Sequence, residues 1–406
     1  MKIVVVSSWF SEKMGYSENI FPKALARLGH EVHVITSMAQ VYYNSSNYEK
    51  TYAKHLGPPI VQPGEKEIYG YTLHRLNFTY HSWIALGIFR LKGIRIDGLE
   101  NLLMQLKPDV IQVVNSIDEP TTYQTALYAQ RHGKRIFTES HLHASVIRRN
   151  NRISWKERLL STLYSFHPRI RFINDATALC YPIAIDVEEI AQSLFHVPPS
   201  KLKLQPLGVD TEIFCPVSTK EMLAERENLR ASFGFRSDDL VCIYTGRFSR
   251  GKNPQLLAEA IDWLQRHGEK IFGLFVGNGT EEEIQAIRSL RGCLIHPFVA
   301  THELPQYYRS ADLGVWPREE STSQLDAAAC GLPLILSNRI QVNERVDGNG
   351  LVYNEGDAED LAHKILQMKD LSIRNQYAKV GIEKVNRIFS WNALAKQRIE
   401  DYKKVY

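Results

Sequence analysis

The sequence predicts an α/β protein with two doubly wound parallel sheets in tandem. Two observations carry this. Short, continuous β-branched runs alternate with helical stretches of apolar residues three and four apart, the pattern of strands buried on both faces with helices between them. The same alternation begins afresh after residue 238, with no sequence repeat between the halves. The 406 residues leave room for two or three domains at roughly 100–200 residues each. At 44% hydrophobic and 23% charged, the composition supplies a sizeable core.

The first half opens with a strand at 3–6 (IVVV), then a loop with Gly15. A helix follows at 17–28, with Pro22 read into its first turn and Gly29 as its stop. EVHVIT at 31–36 completes a βαβ unit. The polar, Tyr- and Pro-rich 42–70 reads as a long loop. Strands are expected at 71–76, 110–114, 135–138 and 172–173, and helices at 94–106, 121–132 and 185–194. A domain boundary is placed near 207–238, after a first domain of 1–206.

In the second half, strands are expected at 241–244, 272–276, 293–298, 313–316, 334–336 and 351–353. Helices are expected at 253–267, 281–290, 303–310, 324–330, 357–369 and 373–388. This makes 207–390 a second domain and 391–406 a closing helix. A cleft between two such sheets, at their carboxyl ends, is the expected ligand site.

A net charge of +4 is too small to argue for nucleic acid. The five scattered cysteines lack metal-ligand spacing and read as buried free thiols of a reducing compartment. No run of 18 apolar residues is present, and the N-terminal run is too short for a signal peptide, so the expected location is cytoplasmic. No Asp-x-Asp or His/Cys cluster marks a metal site. One segment, 148–171, is basic and amphipathic: Arg148, Arg149, Arg152, Lys156, Arg158, Arg169 and Arg171 interleave with aromatic and leucine residues. Such a segment can lie on an anionic membrane surface, but the preferred reading is a solvated helix that partly faces the core.

The chemistry concentrates in CIYTGRFSRGKNP at 242–254. A strand leads into a glycine-bearing loop with three cations and then a helix start. Unpaired N–H groups and the helix dipole favour phosphate there. Arg247 can fork onto two oxygens and Lys252 acts as a point charge. Arg250 reads as a solvent cation.

Beside this loop stand PLGVDTEIF at 206–214, VGNGTEEE at 276–283, ELPQYYRSADLGVWP at 303–317, EESTSQLDAAACGLPLI at 319–335 and FSW at 389–391. In this order the set resembles the retaining glycosyltransferases of family 4, over nearly the whole chain and most strongly over 203–391. The resemblance implies the GT-B architecture, two Rossmann-like domains facing a central cleft, with the closing helix crossing back to the first domain. It also implies a nucleotide-sugar co-substrate, UDP- or GDP-linked, with no other cofactor and no required metal.

Roles follow from the resemblance at matching positions. Arg247 and Lys252 hold the diphosphate, with Gly246, Gly277 and Asn278 on the same donor loops. Asp326 binds the ribose hydroxyls. Ser321, Thr322, Ser323 and Gln324 form the loop that reaches sugar and phosphates, and Gly15 lets the first domain approach the diphosphate. The family spaces two Glu residues with seven between them. Here the second acid is Asp326, and Arg318 falls on the first position. The sugar-facing acid is therefore Glu319 or Glu320, with Glu320 preferred. A family histidine after a first-domain strand maps to TESHLH at 138–143, as His141 or His143, with Glu139 near enough to bond the ring or the acceptor. The implied reaction retains the anomeric configuration by a front-face route, and the acceptor is a glycan or lipid-linked glycan bound by 42–71 and 148–171. The altered acidic loop motivates one alternative, a catalytically silent nucleotide-sugar-binding or scaffolding protein, against which intact Arg247, Lys252 and Asp326 argue. A two-Rossmann epimerase or phosphorylase, and a nicotinamide dehydrogenase, fit less well, because no cofactor lysine and no Gly-x-Gly-x-x-Gly after the first strand are found.

Overall fold

In the computed structural model, β1 (Lys2–Ser7) is buried from Ile3 onward and pairs in parallel on both sides, with β2 (Glu31–Ser37) and with β7 (Val110–Val113). The structure describes residues 1–12, 14–85, 89–148, 153–318, 320–340 and 342–405. They divide into two units, Met1–Leu207 with Leu394–Tyr406, and Gly208–Ala393.

In the first unit, β3 (Gly64–Ile68), β4 (Tyr71–Leu76), β8 (Ile136–Ser140) and β9 (Thr177–Pro182) complete a sheet of order β3-β4-β2-β1-β7-β8-β9. Among the described residues of this sheet, only β3 runs antiparallel, against β4. β5 (Phe78–Ala85) and β6 (Phe89–Ile96) form a separate antiparallel pair.

Several expectations are corrected here. The loop expected at 42–70 contains the helices Tyr48–Thr51 and Ala53–Leu56 and the edge strand β3. GEKEI is almost wholly exposed, so no alternation marks it as a strand. The helix expected at 94–106 begins only at Leu99, because Ile94 and Ile96 are the buried end of β6. Phe172 and Ile173 belong to the helix Pro168–Ala176, and the strand follows at β9. Pro22 lies inside the helix Ser17–Arg27 and not in its first turn, which leaves the Glu18 carbonyl without its helical donor. β8 runs two residues past Thr138, so Glu139 and Ser140 are strand residues.

The second unit has a six-stranded parallel sheet: β10 (Leu240–Phe248), β11 (Ile271–Gly279), β12 (Cys293–His296), β13 (Leu313–Trp316), β14 (Leu334–Ser337) and β15 (Gly350–Tyr353). Its order is β12-β11-β10-β13-β14-β15. β10 and β11 both run further than expected. Gly246 and Arg247 pair with Gly277 and Asn278 inside the ladder and are not loop residues. All five cysteines are free, and all but Cys215 are buried.

The helix Trp391–Val405 carries Arg398 into the first unit. Its guanidinium is 2% exposed, pairs with fully buried Glu139, donates from Nε to Gln205 Oε1, and stacks over Phe21 and Tyr181 at 4.4 and 4.3 Å. Burial alone would raise the Glu139 carboxyl; Arg398 and His141 overcome this and hold it down at about 2. A depressed carboxylate contributes stability above its unfolded pKa that is lost as pH falls through the folded one. Arg398→Met should therefore destabilise the protein by about 3–5 kcal/mol, the usual cost of stripping one partner from a buried pair. Urea unfolding at pH 7 measures this. Between pH 4.5 and 2 the variant should also lose part of the wild type's acid-induced decline.

Candidate functional site

Both sheets have a switch point, where the connections from one strand and its neighbour leave in opposite directions and open a crevice at the carboxyl edge. In the second unit this is between β10 and β13. Three contacts shape the edge. The Tyr244 hydroxyl donates to the Arg247 carbonyl at 2.9 Å, and Trp316 Nε1 donates to the Thr245 carbonyl at 3.1 Å. Tyr308 shares a 2.7 Å hydrogen bond with Thr245. A Cβ on Gly277 would lie 1.9 Å from the Gly246 carbonyl oxygen, so only glycine lets the two strand ends approach this closely. Arg247 and Asn278 are exposed just beyond this contact.

Lys252 follows in the turn before the helix Pro254–Arg266. Its Nζ donates to the Glu320 carbonyl at 2.6 Å, joining the loop after β10 to the loop after β13. Arg345 holds that second loop from the other side. Its Nη1 donates to the Ser321 carbonyl at 2.9 Å and to Gln324 Oε1 at 3.2 Å, and its Nη2 lies 3.8 Å from the Glu320 carboxylate. Thr322 precedes the helix Ser323–Ala329, which carries Asp326 in its first turn. Loss of solvation raises the Asp326 carboxyl to about 8, with Arg345 opposing.

The switch point of the first unit lies between β1 and β7. A cavity of about 610 Å³ opens there, with His141 on its wall. His141 Nε2 lies 2.9 Å from Glu139 Oε2. Glu139 is ionised, so the hydrogen of this bond belongs to the imidazole. His143 instead packs beside Asp186, 3.2 Å from both carboxylate oxygens, at the start of the helix Ile185–Ser193.

Residues 239–370 match the family described as Glycosyl transferases group 1. Among curated proteins, the chain is 24% identical to spore coat protein SA of Bacillus subtilis over 249 residues, 57% of this chain and 66% of that one. It is 26% identical to D-inositol 3-phosphate glycosyltransferase of Mycobacteroides abscessus over 224 residues, 52% and 48%. The matched stretches thus span about half to two thirds of these relatives. Among solved structures, a glycosyltransferase from Rickettsia africae superposes with a TM-score of 0.69 at 14% identity, covering 100% of this chain and 98% of that one. Anabaena HepE in complex with UDP-glucose superposes at 0.62 and 16%, covering both chains fully. The fold is GT-B, with two Rossmann-like domains.

The matched stretch contains Gly246, Arg247, Lys252, Gly277, Asn278, Glu320, Ser321, Thr322, Ser323, Gln324 and Asp326. The structure brings Lys252, Glu320, Ser321 and Gln324 into one bonded cluster and aligns Arg247 with Asn278. Glu319 lies outside the described residues. Arg318, on the family's first-Glu position, pairs with Glu355 at 3.4 Å. Gly15, in the first unit, is exposed just ahead of the helix Ser17–Arg27. Arg345 and Arg398 were not legible as site residues. Arg345 lies in a polar stretch with no periodicity. Arg398 left a usable signal: Trp391, Leu394, Ala395, Arg398 and Tyr402 share one helical stripe, and an arginine there must find a buried anion.

A carboxyl with a raised folded pKa holds its proton where the unfolded chain has lost it, so stability falls as pH rises toward the folded value. Asp326 should therefore cost stability progressively from about pH 4 to about pH 8. Melting temperatures from pH 5 to 8.5 check this. Asp326→Asn should flatten the decline, while an unchanged slope would mean Asp326 is already ionised at neutral pH.

Proposed function

We propose that the protein is a retaining glycosyltransferase that moves a hexosyl group from a UDP- or GDP-linked donor to a hydroxyl of a glycan or lipid-linked glycan. The second unit holds the donor and the first holds the acceptor. The observation that carries this is the Lys252 bond to the Glu320 carbonyl, which gathers a cation, an acidic loop and the exposed Arg247 at the switch point of the group 1 domain. Nucleotide binding at such a point is what the topology favours.

In the proposed reaction the bond from the anomeric carbon to the leaving phosphate oxygen breaks. A bond from the acceptor oxygen forms on the same face, and the acceptor's proton passes to the departing phosphate. Charge develops on the diphosphate, where Arg247 forks onto two oxygens and Lys252 exchanges its carbonyl for a phosphate oxygen. Fixed donors of this kind are worth roughly 2.7–4 kcal/mol each in the transition state. Asp326 accepts from the ribose hydroxyls, and Glu320 and His141 face the transferred sugar. Glu139 positions the His141 ring.

A thermal-shift panel of UDP, GDP, ADP and CDP tests the donor site. One base should raise the melting temperature well above the others, because a ligand of the folded state stabilises by RT ln(1 + [L]/Kd). No shift with any of them contradicts the proposal. Lys252→Ala should cut turnover by about 10²–10³ while leaving the melting temperature of the free protein nearly unchanged. Near wild-type turnover would remove Lys252 from the mechanism.

We also propose that the first unit rests on an anionic membrane. In the helix Trp155–Phe166, Trp155 and Phe166 are 70% and 77% exposed, Leu159 is exposed between them, and Arg158 is exposed beside them. Arg148, by contrast, is buried against Glu157 and Glu189 and is not a lipid contact. Arg149 and Arg152 lie outside the described residues. Among the described residues no helix is long and apolar enough to cross a membrane. Flotation with vesicles rich in phosphatidylglycerol should recover the protein, and Trp155→Ser with Phe166→Ser should weaken binding about tenfold or more. Equal recovery of wild type and double variant contradicts the contact.

A further inference from the structure

We infer that the cavity of the first unit selects an uncharged, hydroxyl-rich sugar ring as acceptor and rejects phosphorylated sugars. This rests on the proposed function and narrows its acceptor. The volume, about 610 Å³, falls in the ~300–1,000 Å³ range of small-molecule sites. Trp9, Tyr16 and Tyr43 supply aromatic wall, on which the C–H face of a sugar ring can lie.

Three polar groups on the wall decide the class. Glu18 is buried and its Oε1 has no hydrogen-bond partner. Glu119 Oε2 is likewise unpartnered. Asn115 is buried, accepts from the Ser8 N–H through Oδ1 at 2.9 Å, and has no acceptor for Nδ2. A buried polar atom left without a partner costs about 1–3 kcal/mol, so a well-matched ligand must satisfy all three. A phosphate dianion only accepts: it can accept from Asn115 Nδ2 and from a carboxyl that holds its proton, but it has no hydrogen for the acceptor oxygens of the two carboxyls. An ammonium only donates: it suits the carboxyls and leaves Asn115 Nδ2 unmet. A hydroxyl does both. Burial raises both carboxyls to about 8, so near neutral pH these two groups are largely protonated and offer an ammonium no opposite charge. Among the described residues that line the cavity, none is a lysine or arginine.

Isothermal titration of the full chain with methyl α-D-glucopyranoside, myo-inositol, glucosamine and glucose 6-phosphate, each with and without UDP, tests the assignment. At least one neutral compound should bind tenfold or more tightly than glucose 6-phosphate and glucosamine. Asn115→Asp, which keeps the acceptor for Ser8 and removes the Nδ2 donor, should weaken neutral-sugar binding about tenfold. Asn115→Ser serves should that variant fold poorly, and an unchanged nucleotide-induced thermal shift certifies either fold. Binding of glucose 6-phosphate or glucosamine at equal or higher affinity overturns the inference. So does no binding of any neutral compound, or neutral-sugar binding that both variants leave unchanged. Nucleotide binding separates the two failures. If nucleotides shift the melting temperature and neutral sugars do not bind, this inference alone falls; if no nucleotide binds either, the donor assignment falls with it.

Discussion

A parallel sheet sends all its strand ends to one edge, and where its connections diverge that edge cannot be covered by its own loops. Each unit has one such point, at β1/β7 and at β10/β13. Every residue given a chemical role lies at or just beyond one of them. At β10/β13 the loops carry cations, an acidic turn and a first-turn carboxyl. At β1/β7 they enclose a cavity with aromatic wall and unpartnered polar atoms. On the proposed function, the difference in charge between the two edges matches the two parts of a substrate pair, a diphosphate on one and hydroxyls on the other.

Loops at an open edge need restraint from elsewhere, and both units supply it with a buried arginine. Arg345 grips the Ser321 carbonyl and Gln324 from beneath the acidic loop. Arg398 fixes Glu139, and Glu139 fixes the His141 ring. Neither guanidinium is exposed, so their donors serve the protein itself. The Lys252 bond to the Glu320 carbonyl is of another kind. A strongly hydrated point charge on a flexible stem can exchange a neutral carbonyl for a phosphate oxygen at little structural cost.

How much was legible follows from what each residue packs against. IVVV at 3–6 and VIQVV at 110–114 announced themselves because central parallel strands are apolar on both faces. β3 hid because an edge strand of exposed GEKEI has neither face to bury. Residues 172 and 173 read as a strand because two apolar residues cannot distinguish a period of 2 from one of 3.6. The cluster at the β10/β13 edge was legible because its residues are local in sequence: Gly246, Arg247 and Lys252 fall within seven residues. The cavity at β1/β7 was not, because Trp9, Glu18, Asn115, Glu119 and His141 meet only after the sheet assembles. The tyrosines at 16, 42, 43 and 80 line that cavity, so part of the Tyr-rich stretch does face it, whereas the contacts of helix Trp155–Phe166 lie elsewhere.

The central claim is that the β10/β13 edge receives a nucleoside diphosphate. A crystal structure of the protein soaked or grown with the nucleoside diphosphate of the preferred base tests it most directly. The account predicts the diphosphate within hydrogen-bond distance of Arg247 and Lys252, the ribose hydroxyls on Asp326, and Lys252 Nζ moved from the Glu320 carbonyl to a phosphate oxygen. A nucleotide bound away from β10/β13, or bound there with Lys252 still on the Glu320 carbonyl and Asp326 untouched, would contradict it.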